Sequence, residues 1–176
     1  VSHRDGAIAQ ALWDQNPDDP GVVKPLCSIE AASAFPLYAS HVEPPGLFGQ
    51  PVRMTVFEYQ DGKRLTSLGQ SLDRDLVIQQ IAQQQGISPD AVWARIVVDV
   101  LAIAMRLHQL GFYGGTDLHP RNFRLLADGH VVAVGDFGSF LRVLGITRET
   151  FSLEERREEI ARLIDDLTES LPGVRL

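Results

Sequence analysis

The chain has 176 residues, of which 44% are hydrophobic and 22% are charged, as in an ordinary globular protein. Its formal net charge of −7 argues against a general nucleic-acid binder, and no apolar run reaches the roughly 18 residues that would span a bilayer. A single cysteine, Cys27, excludes an internal disulfide and a thiolate zinc cluster. We therefore expect a soluble, cytoplasmic protein that has neither nucleic acid nor membrane as a partner.

The first third of the chain is rich in proline and glycine and contains short apolar runs. Turn signals between two of these runs predict a β-hairpin over residues 7–26, and residues 52–59 read as a further strand. Ser28 is the predicted N-cap of a short helix over residues 28–41. These elements predict a small β-sheet with one helix.

The rest of the chain has mainly helical patterns. Apolar spacing predicts a helix over residues 71–86 and a long, buried helix over residues 88–110. An Asp-Gly turn between two apolar runs predicts a β-hairpin over residues 123–134, and a capping box at Ser152 begins a final helix. The predicted fold class is therefore α+β, with two lobes.

Three polar side chains surround the predicted hairpin of residues 123–134. Asp117 and Asn122 lie in the loop after the long helix, and Asp136 directly follows the hairpin. The hairpin is expected to bring Asp136 back beside the loop, where the oxygen atoms would suit Mg²⁺ together with substrate phosphates. One carboxylate would then remain to accept a proton from a hydroxyl group. Taken singly, each aspartate also fits an ordinary turn.

The same residues carry a resemblance to a known family. Asp117-x-x-x-x-Asn122 followed by Asp136-Phe137-Gly138 resembles the catalytic loop and metal-binding motif of the protein-kinase-like superfamily. Leu107-His108-x-x-Gly111 is similar to the helix end that precedes this loop. Leu118-His119-Pro120 resembles the loop of the aminoglycoside and choline kinase branch.

The resemblance implies a minimal two-lobed kinase-like fold with a truncated helical C-lobe. Residues 1–60 would form the N-lobe and residues 61–176 the C-lobe, with ATP and Mg²⁺ in the cleft between them. Only about 38 residues follow Gly138, so we expect this chain to lack the half of the C-lobe that docks peptides in ordinary protein kinases. The fold looks similar to the reduced kinases that some bacteria secrete as effectors.

The family's roles transfer to matching positions of this sequence. By resemblance, Asp117 is the catalytic base, and Asn122 and Asp136 are the Mg²⁺ ligands. Lys24, one of two lysines among the 16 basic residues, would hold the α- and β-phosphates. Glu30 would be the helix glutamate that pairs with Lys24.

The resemblance also implies further residues of the nucleotide site. The backbone of Glu58, Tyr59 and Gln60 would recognise the adenine, at the hinge between the two lobes. Gly6 is the one glycine left where the family has a glycine-rich phosphate loop. His119 would either point towards the transferred phosphate or simply pack the catalytic loop.

Several functions are compatible with these residues. A Ser/Thr protein kinase is preferred, because the short C-lobe cannot build the pocket that encloses a small acceptor. A host protein would be the substrate if the chain is delivered into a host cell as an effector. The alternatives are a small-molecule kinase of the aminoglycoside or choline type, a nucleotide-binding pseudokinase or interaction module, and an enzyme that transfers AMP.

Overall fold

The structure is a computed structural model that describes residues 3–18, 21–31, 52–70, 74–111, 119–134 and 152–171. In chain order its elements are helix α1 (His3–Gln15), strands β1 (Pro25–Ala31), β2 (Val52–Phe57) and β3 (Gly62–Arg64), helices α2 (Leu65–Gln70), α3 (Arg74–Gln85) and α4 (Pro89–Gln109), a 3₁₀ helix (Pro120–Asn122), strands β4 (Phe123–Leu126) and β5 (Val131–Ala133), and helix α5 (Leu153–Ser170). The strands form two small antiparallel sheets, β1–β2 and β3–β4–β5. The predicted α+β class is therefore confirmed.

Helix α4 runs through the core, as its apolar sequence predicts. Ser88 caps its first turn by accepting a hydrogen bond from the Ala91 amide, and Pro89 occupies the first helical position. Its buried side chains are Val92, Trp93, Ile96, Val97, Val100, Ile103, Ala104 and Leu107. Val98 and Met105 are exposed, so the helix is not buried on every side. Among the described residues, no helix is both long and apolar enough to cross a membrane.

The β4–β5 hairpin is also confirmed, and helix α4 holds it in place. Phe123 and Leu125 alternate with more exposed neighbours and point into the core, as expected for a strand covered on one side. The Asp99 carboxylate, a polar interruption in the apolar run of α4, accepts a hydrogen bond of 3.0 Å from the Val131 amide. Strand β3, which was not predicted, pairs with β4 and completes the sheet.

The predicted hairpin over residues 7–26 is wrong, because most of its first half is helix α1. Ile8, Ala9 and Leu12 are buried on one face of this helix, a spacing of one and four residues that fits a helix rather than a strand. The Asn16-Pro17 turn signal is real, but it ends a helix instead of joining two strands. Helix α1 packs against the β1–β2 sheet.

The predicted helix over residues 28–41 is wrong in its described part. Ser28 and Glu30 lie in strand β1, where they face Thr55 and Arg53 of strand β2. Tertiary pairing with β2 supplies hydrogen bonds for the β1 backbone, and this outweighs the helix-capping preference of a serine. Residues 32–41 lie outside the described residues.

Helix α5 begins at the predicted capping box. Ser152 accepts a hydrogen bond from the Glu155 amide, and the Glu155 carboxylate accepts one from the Ser152 amide. Leu163 and Leu167 are buried, and the Glu159 carboxylate lies 2.9 Å from Nε2 of His108 on helix α4. The C-terminal helix is thus joined to the central helix.

Candidate active site

The candidate site is centred on the segment between helix α4 and strand β4. Asn122 and His119 belong to the described residues, whereas Asp117 and Asp136 lie outside them. Asp117 precedes Asn122 by five residues, and Asp136 follows Val134 by two. The described residues therefore begin two positions after Asp117 and end two positions before Asp136.

A short 3₁₀ helix fixes Asn122 at the start of strand β4. His119 is its N-cap: Nδ1 accepts a hydrogen bond of 3.3 Å from the Arg121 amide, and the His119 carbonyl accepts one of 2.8 Å from the Asn122 amide. Pro120, the first residue of this helix, is buried. Of the two predicted roles of His119, this geometry supports packing of the loop, because one ring nitrogen is engaged within it.

The hairpin returns the chain to Asn122, as the motif spacing predicts. The Val134 amide donates a hydrogen bond of 2.8 Å to the Asn122 carbonyl. The backbone two residues before Asp136 is therefore in contact with one of the predicted metal ligands. An amide oxygen together with carboxylates is donor chemistry that fits Mg²⁺.

A surface cavity of about 150 Å³ lies beside Asn122. We call it the arginine cavity, because it is lined by Arg64, Arg121 and Arg124 together with Asn122 and Val134. This grouping of arginines was not predicted from the sequence. Strand alternation over residues 123–126 could have placed Arg124 on the face away from the core, but the pairing that brings Arg64 opposite it depends on the short strand β3.

Lys24 lies where the chain passes from one sheet to the other. Just before it, the Val23 amide donates a hydrogen bond of 3.1 Å to the Ala133 carbonyl of strand β5. The Lys24 carbonyl itself accepts one of 2.9 Å from the Glu58 amide, after strand β2. Lys24 therefore does not lie in a strand of the predicted hairpin over residues 7–26, since it directly precedes strand β1. Its Nζ lies 5.7 Å from the centroid of the Trp13 ring, a cation–π contact.

The predicted pairing of Glu30 with Lys24 is also wrong. Both residues lie along one extended segment, with Lys24 immediately before strand β1 and Glu30 near the end of that strand. At about 3.3 Å per residue, their backbones are roughly 20 Å apart, more than the two side chains bridge.

Gly6 does not belong to a glycine-rich loop, contrary to prediction, because it lies inside helix α1. A Cβ atom at this position would overlap the side chain of Thr55 on strand β2. Gly6 therefore serves close packing between helix and strand.

The predicted hinge residues form part of the connection between the two sheets. Glu58, Tyr59 and Gln60 follow strand β2 and precede strand β3. Tyr59 is 81% exposed, and Nε2 of the Gln60 side chain donates a hydrogen bond of 3.5 Å to the Glu58 carboxylate. The contact of their backbone with adenine stays a prediction.

Within the described ranges, no group of three or more histidine, cysteine, aspartate or glutamate residues is arranged to hold a metal ion. The predicted Mg²⁺ site depends on Asp136, which lies outside those ranges. Comparisons of the chain with protein-family models, curated proteins and solved structures found no match.

Proposed function

We propose that the chain is an ATP- and Mg²⁺-dependent phosphotransferase with a minimal two-lobed kinase-like fold. Residues 1–60 would form the N-lobe, and residues 61–176 the truncated helical C-lobe. The observation that carries the proposal is the hydrogen bond from the Val134 amide to the Asn122 carbonyl. This bond holds the chain just before Asp136 against Asn122, and a metal shared by these two side chains needs such an approach.

In the proposed reaction, three side chains that carry oxygen atoms have different roles. Asp117 orients the acceptor hydroxyl and takes its proton while the hydroxyl oxygen forms a bond to the γ-phosphorus. The bond between that phosphorus and the β–γ bridging oxygen breaks, and ADP leaves. Asn122 and Asp136 would hold Mg²⁺, which when bound neutralises charge on the phosphates. Positioning and charge, rather than a covalent intermediate, supply most of the rate enhancement.

Lys24 keeps its proposed contact with the α- and β-phosphates, but with Trp13 beside it instead of Glu30. The ring face of Trp13 attracts the ammonium group and limits where its flexible side chain lies. The backbone of Lys24 is hydrogen-bonded to Glu58, the first residue of the proposed adenine-reading segment. The residues proposed to contact the phosphates and the adenine would thus be neighbours in space, although they are far apart in the sequence.

The proposed acceptor is a serine or threonine hydroxyl on a protein, with a small hydroxylated molecule as the alternative. A second candidate function is a pseudokinase that binds nucleotide without transferring phosphate. It is favoured by the position of Gly6 inside helix α1, because the described N-terminal residues then contain no glycine-rich phosphate loop.

The test is phosphoryl transfer from γ-labelled Mg-ATP by the wild-type chain and by Asp136→Ala, alone and in a eukaryotic lysate. We expect the wild type to label a protein and the variant to lose at least about 100-fold of that activity, because the metal loses a ligand. Asp165→Ala is the matched control, since it removes an exposed aspartate on helix α5. Intact mass of the product separates transfer of phosphate from transfer of AMP.

Two outcomes would contradict the proposed function. Unchanged labelling by Asp136→Ala would show that the site is wrongly assigned. Binding of Mg-ATP by the wild type with no labelling of proteins or of added aminoglycosides and choline would favour the pseudokinase.

A further inference from the structure

Helix α4 has a second apolar side, opposite the one that it buries in the core. The positions on this side recur every three or four residues, are exposed or half-buried, and carry only apolar side chains. We call them the α4 stripe, and its members are Ala91, Ala94, Val98, Leu101, Ala102 and Met105. Val98 is 62% exposed and Met105 is 58% exposed. The stripe is therefore a continuous apolar surface, about 21 Å long, on the outside of the central helix.

The other long helices of the C-terminal part have polar outer sides. The exposed positions of helix α3 are mostly glutamine, and those of helix α5 are mostly charged. A helix that is apolar on all sides is normally surrounded by packing partners. Because the stripe contains no charged or polar side chain, its composition is that of a contact surface.

The order of side chains along the stripe suits antiparallel pairing with an identical helix. When a two-fold axis passes between Val98 and Leu101, Val98 of each copy lies opposite Leu101 of the other. The same axis places Ala94 of each copy opposite Met105 of the other, so a small side chain receives a long one at both ends. The alternating spacing of three and four residues is that of helix pairs whose axes approach to about 8–10 Å. The stripe is therefore complementary to itself.

The charges at the two ends of helix α4 favour the same direction of pairing. Asp90 lies in the first turn, and Arg106 lies in the last turn. An antiparallel pair brings the acidic first turn of each copy beside the basic last turn of the other, whereas a parallel pair brings like charges together. The helix dipoles also attract each other only when the two helices are antiparallel.

We infer that the α4 stripe is the interface of a symmetric dimer, in which two copies of this chain pack their α4 helices antiparallel. With the roughly 10 Å width of a helix, the stripe covers about 200 Å² per copy, against about 800 Å² in a standard interface. The dimer is therefore weak, with an expected Kd on the order of 100 µM. It does not depend on the proposed function, because no residue of the stripe is proposed to bind nucleotide or metal.

Sedimentation equilibrium of the full chain, from about 10 µM to about 1 mM, brackets this Kd and measures the association. We expect the wild type to change from monomer to dimer over this range. Val98→Glu should weaken the dimer at least about tenfold, because the new carboxylate would be buried against apolar side chains. Since Val98 is exposed in the single chain, the variant should keep its fold, which circular dichroism checks.

Leu76→Glu is the matched control, because it places the same charge at an exposed apolar position on helix α3 and should leave the dimer unchanged. A wild type that stays monomeric at every concentration would overturn the inference and point to a different occupant of the stripe. Equal weakening by the two substitutions would also overturn it, because the added charge rather than contact at the stripe would then control association.

Disulfide cross-linking tests the direction of pairing. Two variants both carry Cys27→Ser, which removes the native thiol, and one adds Ala94→Cys while the other adds Met105→Cys. Antiparallel packing places residue 94 of one copy opposite residue 105 of the other, so a mixture should form cross-linked heterodimers. Cross-links that join only copies of the same variant would indicate a parallel pair and contradict the inferred packing.

Discussion

Gly6 illustrates how one residue sets the distance between two elements. Alanine in a helix is favoured over glycine by about 1 kcal/mol, so Gly6→Ala would stabilise an isolated helix α1. In the folded chain the new methyl group would overlap Thr55, and overpacking of this kind costs about 1–3 kcal/mol. We expect Gly6→Ala to lower the free energy of unfolding by roughly 1–2 kcal/mol, measured by urea denaturation.

The partner substitution makes the cause of this loss testable. Thr55→Ala shortens the opposing side chain, so the double variant should recover part of the loss that Gly6→Ala causes. Strictly additive effects of the two substitutions would contradict a direct clash.

Residue spacing predicted correctly that the hairpin returns the chain to Asn122. This return follows from a local signal, the Asp-Gly turn. The pairing of Lys24 with Glu30 was predicted by analogy with a helix and was wrong, because residue 30 lies in a strand. The arginine cavity could not be predicted, since it depends on contacts between strands β3 and β4, which are about 60 residues apart in the sequence.

At the scale of elements, the start of helix α5 has a measurable pH dependence. Hydrogen bonds from the backbone and the hydroxyl of Ser152 hold the pKa of Glu155 below its ordinary value of 4.5. A carboxyl group with a lowered pKa in the folded state stabilises the fold above its ordinary pKa, and this stabilisation is lost as the pH falls through the lower value. The wild type should therefore be more stable than Glu155→Gln at neutral pH, with the difference shrinking below pH 4.5.

Thermal unfolding of the two proteins across this pH range measures the difference. Glu154→Gln is the control, because it removes the same charge from the same helical turn outside the capping box. A gap between wild type and Glu155→Gln that stays constant from neutral pH to well below 4.5 would contradict the assigned role of this carboxylate.

Elements with strong local signals were predicted correctly, and those that depend on distant partners were not. Helices α4 and α5 have both a periodic apolar face and an N-cap serine, and the β4–β5 hairpin has its own turn. Strand β1 was misread as a helix, because its hydrogen-bond partners in strand β2 come more than 20 residues later. Helix α1 was misread because the turn signals that follow it suit the end of a helix as well as a hairpin.

At the scale of the whole molecule, one short segment links the two sheets to the central helix. Residues 21–23 pair with strand β5, and Lys24 then pairs with Glu58 beyond strand β2. Val22 and Val23 are almost fully buried in this segment. Because these contacts connect one sheet to the other, we expect the two sheets to unfold in one cooperative transition.

Gly21, which begins this segment, offers the sharpest test of that cooperativity. Its φ of +65° disfavours any side chain, and a Cβ atom would lie 2.6 Å from Cγ1 of Ile103 on helix α4. Gly86→Ala is the matched control, because its φ is +67° but its Cβ would meet nothing within 4 Å. The control should lower the free energy of unfolding by about 1 kcal/mol from backbone strain alone, and Gly21→Ala should lower it by about 2–4 kcal/mol because overpacking adds to that strain.

The unfolding transitions followed by tryptophan fluorescence and by far-ultraviolet circular dichroism should shift together in Gly21→Ala, since a loosened junction lowers the stability of both sheets. Equal losses in the two variants would contradict the steric argument, and separate transitions for the two signals would contradict a single cooperative transition.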